Sequence, residues 1–282
     1  MAEEKFIDIE KVIKSKNEKL YKWLPQFIVN YIKRIVHEDE INGILEENKD
    51  LFDEDFCNQI IERFELKVVV NGIENIPTEG SIILAANHSL GGMDAMAVVS
   101  GLSKRRKDIR FIVNDILLSM KNLKGLFIGV NKHGKSSKDS FKKVNELFAS
   151  DKAVFIFPAG LVSRRKKGVI KDLVWKRTFI LKAKELQTSI IPIYIDGGLS
   201  NFFYNLSNTR EKLGIKSNIE MLYLANEQFK IRNKTITLTV GKPIAPKDFD
   251  SSKNNFELAQ WVKEQVYLLK KELYRYVIKQ IG

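Results

Sequence analysis

One of the three histidines in the chain stands where catalytic groups are commonly placed. His88 follows the apolar run Ile82-Ile83-Leu84-Ala85-Ala86 and Asn87, and precedes Ser89-Leu90-Gly91-Gly92-Met93-Asp94. A polar side chain at the end of a buried strand lies where open α/β sheets hold their ligands. A carboxylate beside an imidazole fixes its tautomer, so the second ring nitrogen can take a proton from a hydroxyl. On a continuous helix His88 and Asp94 would point to different faces. Their pairing therefore requires a curled loop, which Gly91 and Gly92 permit. The competing use of Asp94 is to cap the helix that begins near it.

The other reactive side chains suggest less. His37 ends a helical stretch and faces its C-terminal dipole. His133 lies in the basic loop Lys132-His133-Gly134-Lys135 and reads as an exposed loop residue. Cys57, in the amphipathic stretch LFDEDFCNQIIERF, reads as packing. As the one cysteine, it allows no disulfide within the chain, which suits a reducing compartment. No zinc-ligand spacing, phosphate-binding glycine loop or Gly-x-Ser-x-Gly elbow is present, so neither a metal nor a resident cofactor is expected.

The elements that must hold His88 are legible in outline. Short apolar runs at 66–70, 81–86, 109–113, 126–130, 153–157, 189–195 and 235–240 read as strands buried on both faces. Helical patterns at 95–102, 137–148 and 175–186 lie between them. That alternation predicts an α/β fold with a mostly parallel central sheet flanked by helices. Residues 1–64 read as an N-terminal helical extension and 65–282 as the main domain. The domain ends in a long helix whose Ala259, Val262, Val266, Leu269, Leu273 and Val277 recur at spacings of three and four.

Four blocks in order carry a family resemblance. Asn87-His88 with Asp94 closes the segment that starts at Val70-Asn71-Gly72. Gly125-Leu126-Phe127-Ile128-Gly129-Val130-Asn131-Lys132 follows, then Phe157-Pro158-Ala159-Gly160-Leu161-Val162-Ser163-Arg164, then Ile190-Ile191-Pro192-Ile193-Tyr194-Ile195. Over roughly residues 66–245 the chain resembles the lysophosphatidic acid acyltransferase family of glycerolipid acyltransferases. The resemblance implies a glycerolipid acyltransferase-like fold, His88 as general base and Asp94 as its orienter. It also implies an acyl thioester donor, either acyl-carrier protein or acyl-CoA, and a lysophosphatidic acid-like acceptor in phospholipid synthesis. The departures bear on the acceptor more than on the chemistry. Five residues separate His88 from Asp94 where the family has four, Ala159 replaces the third block's Glu, and Leu161-Val162 replace its Thr-Arg. Asn131-Lys132 stand where the second block has Arg. A lyso amino-acid lipid, whose anion is a carboxylate, is therefore the alternative acceptor. A non-enzymatic basic membrane- or nucleic-acid-binding protein is a second alternative.

Basic residues beside the blocks could replace the missing anion contacts. Arg164 and Arg165 follow the third block directly, and their planar forks suit phosphate or carboxylate. Asn87, Lys132, Gly160 and Ser163 complete the expected substrate contacts, and the oxyanion is expected on backbone N–H groups near His88 or Gly160. The net charge of +12 favours an anionic lipid surface, and no nucleic-acid motif is present. The stretch 21–36 sets Trp23, Phe27 and Tyr31 among Lys22, Lys33 and Arg34. It reads either as an interfacial membrane helix or as a helix packed on the core. With no secretory leader and no apolar run of spanning length, the expectation is a cytoplasmic protein, peripheral on the inner face of the membrane.

Overall fold

The computed structural model describes residues 5–114, 117, 118, 120–130 and 137–281. Helices come first: α1 (Ile9–Lys16), α2 (Glu18–Trp23), α3 (Gln26–Ile35), α4 (Glu38–Glu47) and α5 (Asp53–Arg63). The stretch 21–36 is two helices, because Pro25 lacks an amide hydrogen and disfavours helical backbone at the residue before it. Pro25 instead takes an extended conformation at the N-cap of α3.

The strands are β1 (Lys67–Asn71), β2 (Ile82–Ala86), β3 (Arg110–Asn114), β4 (Phe127–Val130), β5 (Ala153–Ile156), β6 (Arg164–Lys166), β7 (Val169–Lys171), β8 (Ile190–Ile195) and β9 (Thr235–Val240). Among the described residues, seven of them form one sheet in the order β1-β9-β8-β2-β5-β3-β4. Within it only β8 and β9 pair antiparallel, every other neighbouring pair being parallel, and β6 and β7 form a separate antiparallel pair. The fold is thus α/β with a mostly parallel central sheet. The positions of the seven central strands agree with the apolar runs to within a residue or so at each end; β2, β5 and β8 are buried on both sides, β1 and β3 only in part, and β6 and β7 are not among the expected runs. Ile82, Leu84 and Ala86 enter one core layer while Ile83 and Ala85 enter the other, and β5 and β8 alternate in the same way.

Helices fill both layers. On one face lie α5 and α6 (Gly92–Leu102), with Phe56, Cys57, Ile60, Met96, Val98 and Leu102 in a shared core. α6 is apolar all round since the sheet covers one side of it and α5 another. On the opposite face lie α7 (Ser137–Phe148), α8 (Thr178–Leu186) and α11 (Asn255–Ile281). Leu258, Ala259, Val262 and Val266 bury α11 against the sheet, as their spacing predicts. Between β8 and β9 the chain inserts α9 (Asn201–Lys212) and α10 (Leu224–Phe229), which sequence periodicity does not single out.

Candidate active site

Three adjacent parallel strands, β8, β2 and β5, end at the same edge of the sheet. Their continuations meet there: His88 after β2, the 157–164 turn after β5, and the end of β8 itself. His88 Nδ1 lies 2.8 Å from Asp94 Oδ2. Gly91, at φ +69°, supplies the left-handed backbone that curls the loop so that the two side chains meet. Asp94 is not the N-cap of α6: that position is Gly91, with no side-chain cap bond. Its Oδ2 also accepts the Leu90 backbone N–H at 2.9 Å, so one carboxylate ties the loop before α6 and orients the imidazole.

Asp94 is wholly buried, whereas the His88 side chain keeps a fifth of its surface open. Burial pushes the Asp94 carboxyl above the usual aspartate range, and the hydrogen bond from His88 opposes that rise. One face of the imidazole stacks on Phe157, with ring centroids 4.1 Å apart. Phe157 in turn packs against Phe155 and Phe111. The arrangement fixes the ring plane and leaves Nε2 as the nitrogen not bound to Asp94.

The residues expected to contact substrate divide into groups. Asn87 is buried, and its amide bridges β2 to β8: Nδ2 donates to the Ile195 carbonyl at 2.9 Å and Oδ1 accepts the Ile195 N–H at 2.7 Å. Ser163 is buried, with its N–H 2.6 Å from the His88 carbonyl and its Oγ 2.6 Å from Asp172 Oδ1. Arg164 is 1% exposed and pairs with Glu220 at 2.7 Å, while Arg210 binds the other Glu220 oxygen at 2.7 Å. Burial pushes the Glu220 carboxyl up, but the two guanidiniums hold it below the usual range. The contacts of Asn87, Ser163 and Arg164 thus go to the protein itself, and they frame the site. Arg165 reaches α9, donating to Asn201 and Asn205 at 2.6 Å each, over the Tyr204 ring. Gly160 is exposed at the tip of its turn, where an added Cβ would lie 2.8 Å from Lys176 Nζ. Lys132 and His133 lie outside the described residues.

Several backbone donors near His88 are already used. The His88 N–H goes to Asp172, Leu90 to Asp94, Gly160 to Phe157 and Ser163 to His88. An oxyanion must therefore find its donors elsewhere in these loops.

Other residues near the site emerge only from the fold. Asp172 lies behind the His88 backbone, and no spacing rule in the sequence marks it. The insertion brings Leu224 against Gly91, with an added Cβ there only 3.0 Å from Leu224. His37 sits between α3 and α4, stacked on Phe229 of the insertion with ring centroids 4.0 Å apart. Cys57 is buried in α5, and burial pushes its thiol up.

Comparison with known proteins adds the family. A lyso-glycine lipid O-acyltransferase of Bacteroides thetaiotaomicron is 46% identical over 264 residues, covering 93% of this chain and 97% of that protein. A lyso-glycine lipid O-acyltransferase of Phocaeicola vulgatus is also 46% identical over 264 residues, covering 93% and 95%. Among solved structures, the 1-acyl-sn-glycerophosphate acyltransferase PlsC of Thermotoga maritima is similar over 77% of this chain and 78% of that one, at 21% identity and a TM-score of 0.49. The model of a family described as acyltransferase matches residues 11–275, nearly the whole chain, and with the two relatives at 46% identity it shows that the chain belongs to that acyltransferase family.

Proposed function

We propose that the enzyme transfers a fatty acyl group from an acyl thioester to the hydroxyl of a lyso amino-acid lipid, with a glycine-bearing lipid as the first candidate acceptor. The observation that carries the chemistry is the 2.8 Å contact between His88 Nδ1 and the buried Asp94. Asp94 holds the proton on Nδ1, and Nε2 removes the proton of the acceptor hydroxyl. The hydroxyl oxygen attacks the thioester carbonyl carbon. The tetrahedral intermediate collapses, the C–S bond breaks, and the thiol leaves with the proton held on His88. No acyl-enzyme and no resident cofactor are needed.

The acceptor reading departs from the lysophosphatidic acid-like one. Two relatives at 46% identity carry a glycine-lipid name. The third block fits this change, because Ala159 and Val162 are buried apolar residues and Arg164 is committed to Glu220. An acceptor with a single carboxylate asks for fewer cationic partners than a phosphate does.

The same reading puts the enzyme on an anionic bilayer, at the cytoplasmic face. No described helix is long and apolar enough to cross a membrane. Trp23 and Phe27 are 87% and 72% exposed. Tyr31 reaches the insertion through Tyr223, whose ring lies against the exposed Phe202, and Leu222 beside it is exposed as well. Exposed apolar residues therefore lie both on α2–α3 and on the insertion that packs on the His88–Asp94 loop, and Tyr31 and Tyr223 join the two.

The test is product identification. Purified protein is given acyl-carrier-protein and acyl-CoA thioesters with a panel of glycine-bearing lyso-lipids and lysophosphatidic acid. O-acylated glycine lipid as the main product is expected. Preferential acylation of lysophosphatidic acid would return the acceptor to the phospholipid class.

A further inference from the structure

Resting on His88 as the base, we propose that Asp172 is a positioning residue that locks the His88 backbone to the 157–164 turn, so that the imidazole is held in register with the acceptor. Asp172 directly follows β7 and is 5% exposed. Its Oδ1 accepts the His88 N–H at 3.2 Å and the Ser163 hydroxyl at 2.6 Å. Its Oδ2 accepts Trp175 Nε1–H at 2.8 Å. The main chain of Asp172 is pinned to α11: its N–H donates to Tyr267 Oη at 2.7 Å, and its carbonyl accepts Lys263 Nζ at 2.7 Å. One carboxylate thus ties together the loop after β2, the turn after β5 and, through its own backbone, the C-terminal helix.

Asp172 and Asp94 divide the work on one histidine. Asp94 bonds the ring and sets its tautomer, while Asp172 bonds the backbone and sets where the ring begins. Misplacement of a catalytic group by ~1 Å costs up to ~10²-fold in rate. The chemistry at 172 also demands a carboxylate. Three donors converge on its two oxygens, and an amide placed there turns its NH2 either onto the Trp175 N–H or onto the His88 N–H.

The test uses purified full chain with an acyl thioester and the preferred lyso-lipid, and compares Asp172→Asn, Trp175→Phe and the double variant. Asp172→Asn should lower kcat by ~10- to 100-fold, consistent with a geometric fault. Both KM values should stay within about threefold, the pattern of an interaction made only in the transition state. Trp175→Phe removes the donor that opposes the amide. The double variant should regain about tenfold or more over Asp172→Asn, since relief of the clash lets the amide oxygen take both Oδ1 contacts. With labelled histidine, the His88 Nδ1–H resonance should move in Asp172→Asn and return in the double variant. A folded Asp172→Asn enzyme with parental kcat would overturn the proposal. So would a double variant no better than the single one, since charge alone would then be the property that matters. Ser163→Ala provides a second variant should Asp172→Asn not fold. It cuts one of the bonds between the two loops and should lower kcat by ~3- to 10-fold at unchanged KM; unchanged kcat there would also overturn the lock. His88→Ala run in parallel separates the two ideas. An active His88→Ala enzyme defeats the base assignment itself, whereas an inactive one beside a normal Asp172→Asn defeats only the role of Asp172.

Discussion

The His88 end of the sheet and the α2–α3 surface treat their side chains in opposite ways. At the sheet end, Asn87, Ser89, Asp94, Ser163 and Asp172 are buried, and each is hydrogen-bonded within the protein. On α2 and α3, Trp23 and Phe27 lie open, with most of each side chain exposed. Buried polar groups cost free energy unless satisfied, so the first region is over-determined and rigid. Exposed aromatic rings cost little in place and gain most when an apolar phase covers them. The proposed base must be held still, whereas the proposed lipid-facing surface needs only to present itself.

Breaking the first region should give the largest effects. His88→Ala should cost ~10²–10⁴ in turnover with the fold retained, the usual range for loss of a general base. Steady-state kinetics and a thermal melt on the same preparation check this, and near-parental turnover of a folded variant would sink the assignment. Asp94→Asn should also be severe, though less so, because an amide oxygen at the Oδ2 position keeps the bonds to His88 and Leu90 but loses the charge that stabilises the imidazolium.

The same variant separates activity from stability. The Asp94 carboxyl is raised by burial, so its charge opposes folding. For a raised carboxyl, the stabilising contribution is fully present below the unfolded value of about 3.9 and is lost as pH rises through the folded value. Asp94→Asn does not titrate there. It should melt at or above the parental temperature near pH 7, and that advantage should shrink toward acid pH. A variant both inactive and less stable at neutral pH would assign Asp94 a net stabilising charge.

The framing ion pair should respond in the opposite sense. Arg164→Ala leaves Glu220 buried with one partner fewer and should cost about 3–5 kcal/mol of stability. Denaturant titration measures it, and a loss below about 1 kcal/mol would mean that Arg210 alone suffices for Glu220. Any change in acceptor KM should then follow the loss of structure. Arg165, held by neutral partners on α9, should cost far less when replaced by Ala.

The smallest effect on the folded chain sharpens the comparison from the other side. Trp23→Ala with Phe27→Ala should change stability by no more than about 0.5 kcal/mol, as surface substitutions do. It should nevertheless release the protein from anionic vesicles, with turnover on detergent-dispersed lipid kept. Parental binding should weaken with salt, over a screening length of ~10 Å at 0.1 M, without vanishing. Equal sedimentation of parent and double variant would assign these rings no part in binding the bilayer.

The sequence by itself determined the seven strands of the central sheet, because apolar runs of strand length mark residues that a sheet buries, whereas the three-residue β6 and β7 carry no such run. It also placed His88 at a strand end and marked Asp94 as its partner, because only six positions and two glycines separate them. Long-range geometry was not legible. Asp172 stands 84 positions from His88, and its part depends on three loops arriving at one point. The two adjacent arginines after the third block read alike in sequence. The fold turned Arg164 inward to Glu220, 56 positions away, and laid Arg165 along α9. A charge run specifies how many cations are present, and only tertiary packing decides which of them face water and which are neutralised inside the protein.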